Sequence, residues 1–273
     1  MGNALFVVWR ESVEAILVVG ILYAWIRRSS ASGVGLRHLL LGTGAGVLLA
    51  VGLGALMLGL QSQIAGQALD AFQIGVLFAA AALIAQMVAW MNAHGHHIRR
   101  DLEISMTRAA ERAGGWSCAL LAALAVGREG AETVLFLYGI AAERRGGELL
   151  DMALGSLLGF LLALATGALL VRGSRWVSAR LFFGMSSALL LLLAGALVVT
   201  GVERLVALDW VPPLGEPLFD ISAVLDDTST PGGLVSAFTG YRARPSGLVV
   251  LVFLVYWALA FWWLRLAAKG AGK

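Results

Sequence analysis

The sequence predicts an all-α, polytopic membrane protein with seven transmembrane helices, and three observations carry that prediction. The first is composition: of 273 residues, 59% are hydrophobic and 14% charged, with a mean hydropathy of +0.85. A soluble domain is roughly a quarter charged, so 20 basic and 17 acidic residues cannot cover a water-facing surface of this size. A net charge of only +3 excludes a charge-expanded disordered chain as well. The second is a series of seven apolar stretches long enough to cross a bilayer, and the third is the way Lys and Arg alternate between them. A pI near 9.4 would suggest a nucleic-acid partner only if the basic residues shared one face; they are sorted by membrane side instead, so no nucleic acid is expected. The lone cysteine, Cys118, excludes a disulfide framework and any cysteine-built zinc or iron–sulfur site.

A helix crossing the roughly 30 Å hydrocarbon core needs about 20 mostly apolar residues. Stretches at about 4–26, 38–60, 70–92, 116–140, 149–171, 181–203 and 246–267 meet that need. The first is not a cleavable signal peptide, because no basic residue precedes its apolar run and Arg10, Glu11 and Glu14 lie within it. Between the sixth and seventh spans, a segment of about 204–245 holds all five prolines. That is far longer than an ordinary connection. Its mixture of Phe219, Ile221, Val224, Leu225, Phe238 and Tyr241 with turn residues predicts a compact cap. Gly42-Thr-Gly-Ala-Gly46 and Gly155-Ser-Leu-Leu-Gly159 are small-residue faces that let helix backbones approach within the chain.

Orientation follows from Lys and Arg. Thirteen lie on one side, at Arg27, Arg28, Arg37, Arg99, Arg100, Arg108, Arg112, Arg172, Arg175, Arg180, Arg265, Lys269 and Lys273. Five lie on the other, at Arg144, Arg145, Arg204, Arg242 and Arg244. The bias puts the N-terminus outside, the C-terminus in the cytoplasm, and the chain in the plasma (inner) membrane. The outer side also carries ten acidic residues, a field that attracts cations.

Six ionisable residues remain at membrane depth, in two copies of R-E-x-x-E: Arg10-Glu-Ser-Val-Glu14 and Arg128-Glu-Gly-Ala-Glu132. One charge at a helix centre costs about 2.5–3.5 kcal/mol on the insertion scale. Residues three apart share a helix face, so Glu11 projects with Glu14 and Glu129 with Glu132, while each arginine reaches the glutamate four residues on. The copies lie three spans apart, on helices of opposite direction. The chain therefore reads as one permease domain built from an inverted repeat: repeat one at about 4–92, repeat two at about 116–203, the cap at about 204–245 and a seventh helix at about 246–267. In such proteins the substrate site lies near the midplane where the repeats meet. By helix rise, Glu14 sits roughly 15 Å below the outer surface and Glu129 roughly 20 Å above the inner one.

Four carboxylates and two guanidiniums offer a net −2 site with oxygen donors, which suits a hard, highly charged cation. No histidine lies at membrane depth, and the motifs offer neither sulfur nor imidazole, which argues against copper(I), zinc and haem. The arginines are expected to neutralise the carboxylates until a cation arrives. Buried ion-pair locks between helices are the plainer alternative; two copies on facing helices favour a transport site. Carboxylate cages select poorly among such ions, so lead or manganese are alternative cargoes. An intramembrane hydrolase is a third reading, with Ser186 or Ser187 as nucleophile, but it lacks a histidine base. Weaker candidates for access or exit are Asp70, Gln73, Asp220, Asp226 and Asp227 outside, and the His94, His96 and His97 cluster inside; Gln86 is a further polar residue of the third span.

The two motifs, the stretch Ala125-Val-Gly-Arg-Glu-Gly-Ala-Glu132, the Trp90-Met91 pair and the segment Phe219-Asp-Ile-Ser-Ala-Val-Leu225 resemble the oxidase-dependent iron permease family, the high-affinity ferric iron permeases of fungi and their bacterial EfeU-type relatives. The resemblance covers essentially the whole chain. It implies iron uptake with ferric iron (Fe³⁺) as substrate, no resident cofactor, and no enzyme activity of the chain's own. It further implies an extracytoplasmic oxidase or peroxidase and an iron-delivery protein as partners, and makes Glu11, Glu14, Glu129 and Glu132 the iron ligands. The chain departs from the family's pattern at Ser12-Val13, at Ala131 and at Gln73, where relatives often carry an acid three residues after the one matched by Asp70.

Overall fold

The computed structural model describes residues 2–28, 35–94, 98–143, 149–171, 179–215 and 217–270; among these there are nine helices and no strand. In order they are α1 (Gly2–Arg28), α2 (Leu36–Gln63), α3 (Gln67–His94), α4 (Ile98–Ala113), α5 (Gly115–Glu143), α6 (Leu149–Val171), α7 (Ala179–Ala207), α8 (Thr230–Thr239) and α9 (Gly247–Gly270). Seven of them coincide with the seven predicted apolar stretches. Within lipid a segment must satisfy its backbone internally, so apolar runs free of proline become long helices. Five helices, α2, α3, α6, α7 and α9, are long and apolar enough to cross a membrane. The other two long helices, α1 and α5, are of similar length, and the three charges of an R-E-x-x-E set each apart.

Four helices make the centre of the bundle. Phe6 and Val7 of α1, Leu77, Ile84 and Val88 of α3, Phe136 and Ile140 of α5, and Leu190, Leu193 and Leu197 of α7 form one buried cluster. In contrast, α2, α6 and α9 turn most of their leucines outward, as helices facing hydrocarbon do. The pairings are α2 along α5, α1 along α6, and α3 along α7, with α1 also meeting α5.

Both glycine faces pack inside the chain, as expected. A Cβ on Gly42 would overlap the Ala119 carbonyl, and one on Gly46 would meet the backbones of Ala123 and Gly127, all in α5. In α6, Gly159 lies against the backbone of Leu5 and Trp9 in α1, and Gly167 against Ile16. Each close seam carries a polar tie. Trp9 Nε1 donates to Thr166 Oγ1 at 3.1 Å, and the Tyr138 hydroxyl donates to Gln61 Oε1 at 2.9 Å.

Two elements lie beyond the seven long helices. Sequence analysis placed Arg99, Arg100, Arg108 and Arg112 between two apolar stretches and assigned no element there, but the region forms the helix α4. Its apolar residues recur every four positions, at Leu102, Met106 and Ala110, and pack on Leu22 of α1 and Cys118 and Ala122 of α5. The turn into α5 is a single residue, Gly114, with φ +60°, where glycine avoids the left-handed penalty. At the other end of the long helices, residues 208–215 and 217–246 carry the short helix α8 and pack against α1 and α7. Ser229 caps α8 by accepting from the Gly232 amide at 3.1 Å, and Gly240 ends it at φ +72°. Asn3 Nδ2 donates to the Ala237 carbonyl at 3.0 Å, which ties α8 to the start of α1. Arg242 Nε meets both Glu203 oxygens, at 2.7 and 2.8 Å, joining the cap to α7.

Candidate metal centre

The pairing of α1 with α5 brings the two motifs together. Small residues make room for it: Gly130 faces Ala50 of α2, and Val13, fully buried, packs on Ala163 of α6. In α1, Arg10 is completely buried and its guanidinium bridges both glutamates of its own motif. Nη1 lies 2.7 Å from Glu11 Oε1, and Nη2 lies 2.5 Å from Glu14 Oε1. In α5, Arg128 Nε donates to Glu132 Oε1 at 2.9 Å. The same guanidinium carbon stands 5.2 Å from the centre of the Trp90 ring of α3, within cation–π range.

One carboxylate oxygen from each of Glu11, Glu14 and Glu129 lies within 4.8 Å of the other two. Glu132 is close enough to interact electrostatically with Glu11 and Glu14. Glu11 Oε2, Glu129 Oε2 and Glu132 Oε2 are buried without a hydrogen-bond partner among the described residues. A buried acceptor left unpaired costs about 1–3 kcal/mol, more when charged. Unpaired oxygens thus come from both motif helices, and two of their residues, Glu11 and Glu129, belong to the group of three carboxylates.

One expectation needs correction. The Met87 sulfur of α3 lies 3.2 Å from Arg10 Nη1, so a thioether does stand at the motif. Sequence reasoning missed it because α3 is apolar almost throughout, and its pattern does not tell which face meets α1.

The weaker candidates are spread out. Asp70 and Gln73 line a cleft of about 320 Å³ with Ile74, Arg204, Ala207 and Leu208, and Gln73 Oε1 accepts from Arg204 at 2.6 Å. Gln73 therefore joins α3 to α7 at the cap end. Gln86 is exposed on α3. Asp220 Oδ1 accepts from the hydroxyl and the amide of Ser222, and its other oxygen meets Arg244 at 3.0 Å. Those Ser222 hydrogen bonds, with Arg244 adding to them, hold its pKa down at about 2. Asp226 is likewise held below the ordinary carboxylate range, by the amide and hydroxyl of Thr228. Both act as turn staples in the cap, and Asp227 beside them is half-buried. His96 and His97 lie outside the described residues, and His94 is described only as the last residue of α3. Ser186 and Ser187 are buried in α7.

The geometry is that of a charged pocket shared by two helices of a multi-pass membrane protein. Compared with known proteins, the chain matches the iron permease FTR1 family over residues 1–269. It belongs to that family. It is 27% identical over 249 residues to proteins named "Ferrous iron permease EfeU" from Escherichia coli O157:H7 and from Shigella sonnei, covering 90% of this chain and 89% of each relative. An uncharacterised protein of Archaeoglobus fulgidus is 27% identical over 266 residues, covering 94% of this chain and 92% of its own length. No solved structure matches. This family member is thus an iron transporter of the membrane, and no catalytic activity is indicated for it.

Proposed function

We propose that this permease imports iron through a midplane site made by Glu11, Glu14, Glu129 and Glu132, with Arg10 and Arg128 as their counter-ions in the empty state. The observation that carries the proposal is the convergence of three carboxylate oxygens within 4.8 Å, flanked by buried oxygens that lack partners. Iron arriving there would displace the guanidiniums and take over their carboxylates. The six charges persist at membrane depth because they bind the cargo in turn.

The proposed frame is seven spans, α1–α3, α5–α7 and α9, with the cap outside and α4 along the cytoplasmic face of the plasma (inner) membrane. Transport runs from the cap end to the α4 end. An inverted repeat is supported by the exchange of partners: α2 lies on the first helix of the other half, and α6 lies on α1. Glycines mediate both seams. Under that symmetry the motifs face each other across the repeat axis, where alternating access leaves a site fixed.

Carboxylates alone favour ferric iron, supplied in this reading by an extracytoplasmic oxidase or peroxidase and a delivery protein. The enterobacterial relatives are named for ferrous iron, and the thioether beside Arg10 favours that second reading. Uptake by the purified protein in liposomes, with Fe²⁺ or Fe³⁺ outside and with lead or manganese as competitors, separates these cargoes. Each single Glu→Ala change at 11, 14, 129 or 132 should reduce iron uptake by about a hundredfold, the upper end for loss of a metal-site group. Unchanged uptake in all four would remove the site from the pathway.

A further inference from the structure

We propose that Met87 is a ligand of the transported ion and that its sulfur biases the carboxylate site towards ferrous iron over harder cations. This rests on the carboxylate site proposed above and adds a donor that the R-E-x-x-E pattern does not contain.

The Arg10 guanidinium is the cation that the first motif holds in this structure, so its neighbours show which donors a bound cation would meet. They are Glu11 Oε1 at 2.7 Å, Glu14 Oε1 at 2.5 Å and the Met87 sulfur at 3.2 Å. The first and third flank the same nitrogen, Nη1. An ion that displaces the guanidinium therefore enters a space bounded by two carboxylates and a thioether. Met87 is buried, and α3 presents it from outside both motif helices. Leucine would fill that volume equally well. What methionine adds is a polarisable sulfur able to accept from a cationic N–H or to coordinate a metal.

Thioether donors discriminate by softness. Ferric iron, magnesium and calcium gain little from sulfur, and manganese gains less than ferrous iron, which stands higher in the divalent affinity order. A cage of carboxylates alone would favour the hardest ion present; one sulfur moves the preference towards the borderline ferrous ion. A second sulfur follows one turn later at Met91; both methionines belong to the same apolar cluster, and it is Met87 whose sulfur stands 3.2 Å from Arg10 Nη1.

The test uses the full-length protein in detergent, loaded with Cd²⁺ as a soft probe and studied by X-ray absorption at the cadmium edge. Wild type should show one sulfur scatterer among oxygens, and Met87→Leu should show oxygens alone. In liposomes, Met87→Leu should lower the ratio of Fe²⁺ to Mn²⁺ uptake by about tenfold, as loss of one metal-site partner does, while Mn²⁺ uptake continues. An oxygen-only shell in wild type, a sulfur that survives Met87→Leu, or an unchanged ratio would each overturn the proposal. Glu11→Ala, run alongside, separates the two readings. If it transports both ions at the wild-type rate, the carboxylate site itself fails; if it loses both while Met87→Leu keeps the ratio, only the role of Met87 falls.

Discussion

Arg10 and Arg128 hold the same place in two copies of one motif, yet the Arg10 side chain is fully buried and that of Arg128 is 49% exposed. Arg10 is locked among Glu11, Glu14 and Met87. Arg128 continues an outward row of Trp116, Leu120 and Leu124 on α5, held by Glu132 and by the face of Trp90. Both arginines lean on α3, so the third helix of one half breaks the equivalence of the two copies. The difference teaches that two copies of one motif can carry the same charges and stand in unequal surroundings. One half is sealed, and the other stands nearer the surface.

The largest expected contrast is in stability. Arg10→Ala strands two buried carboxylates and should cost roughly 3–5 kcal/mol. Arg128→Ala should cost about 1 kcal/mol or less, the scale of an exposed pair with one cation–π contact. Unfolding of the two variants in detergent measures this, and equal losses would break the comparison. The scaffold, unlike the site, should respond evenly. Gly46→Leu on the α2–α5 seam and Gly159→Leu on the α1–α6 seam should each cost about 1–3 kcal/mol by overpacking. Gly52→Leu, which has open space around it, should be near neutral in the same assay.

How much of this was legible in the sequence divides along the same lines. The long helices could be read because long apolar runs leave few alternatives in lipid. The nearness of Glu11, Glu14 and Glu129 was expected because charge inside an apolar stretch is conspicuous. The contrast between Arg10 and Arg128 could not, since both copies carry the same letters and burial depends on what α3 presents. Met87 was hidden among other apolar residues of α3. The α4 helix escaped because Leu102, Met106 and Ala110 form a single narrow stripe inside a charged segment.

A smaller effect concerns charge geometry. Lysine keeps the charge but has no planar fork to span two carboxylates. Arg10→Lys should therefore slow iron uptake by about tenfold, whereas Arg128→Lys, with one partner carboxylate, should slow it by about twofold. Rates in liposomes check the ordering, and a larger loss at 128 would reverse the assignment of which half is sealed. The smallest effect lies in the cap, where Asp220 has its oxygens engaged and those of the membrane glutamates are partly unpaired. Its pKa is lowered from 3.8 to about 2. Its contribution to cap stability is therefore complete well above its unfolded value and is lost progressively as pH falls from there through about 2. Protection of the Ser222 amide against hydrogen exchange should be level above about pH 5 and fall towards pH 3, and Asp220→Asn should remove that pH dependence.

The central claim is that one iron site draws on both motifs, and equilibrium iron binding to the purified protein tests it most directly. Glu11→Gln in the sealed copy and Glu129→Gln in the open one should each weaken the same site by about ten- to a hundredfold, and the double variant should bind none. If either motif alone kept wild-type affinity while the other was disabled, the two copies would be independent ion-pair locks and the shared site would be contradicted.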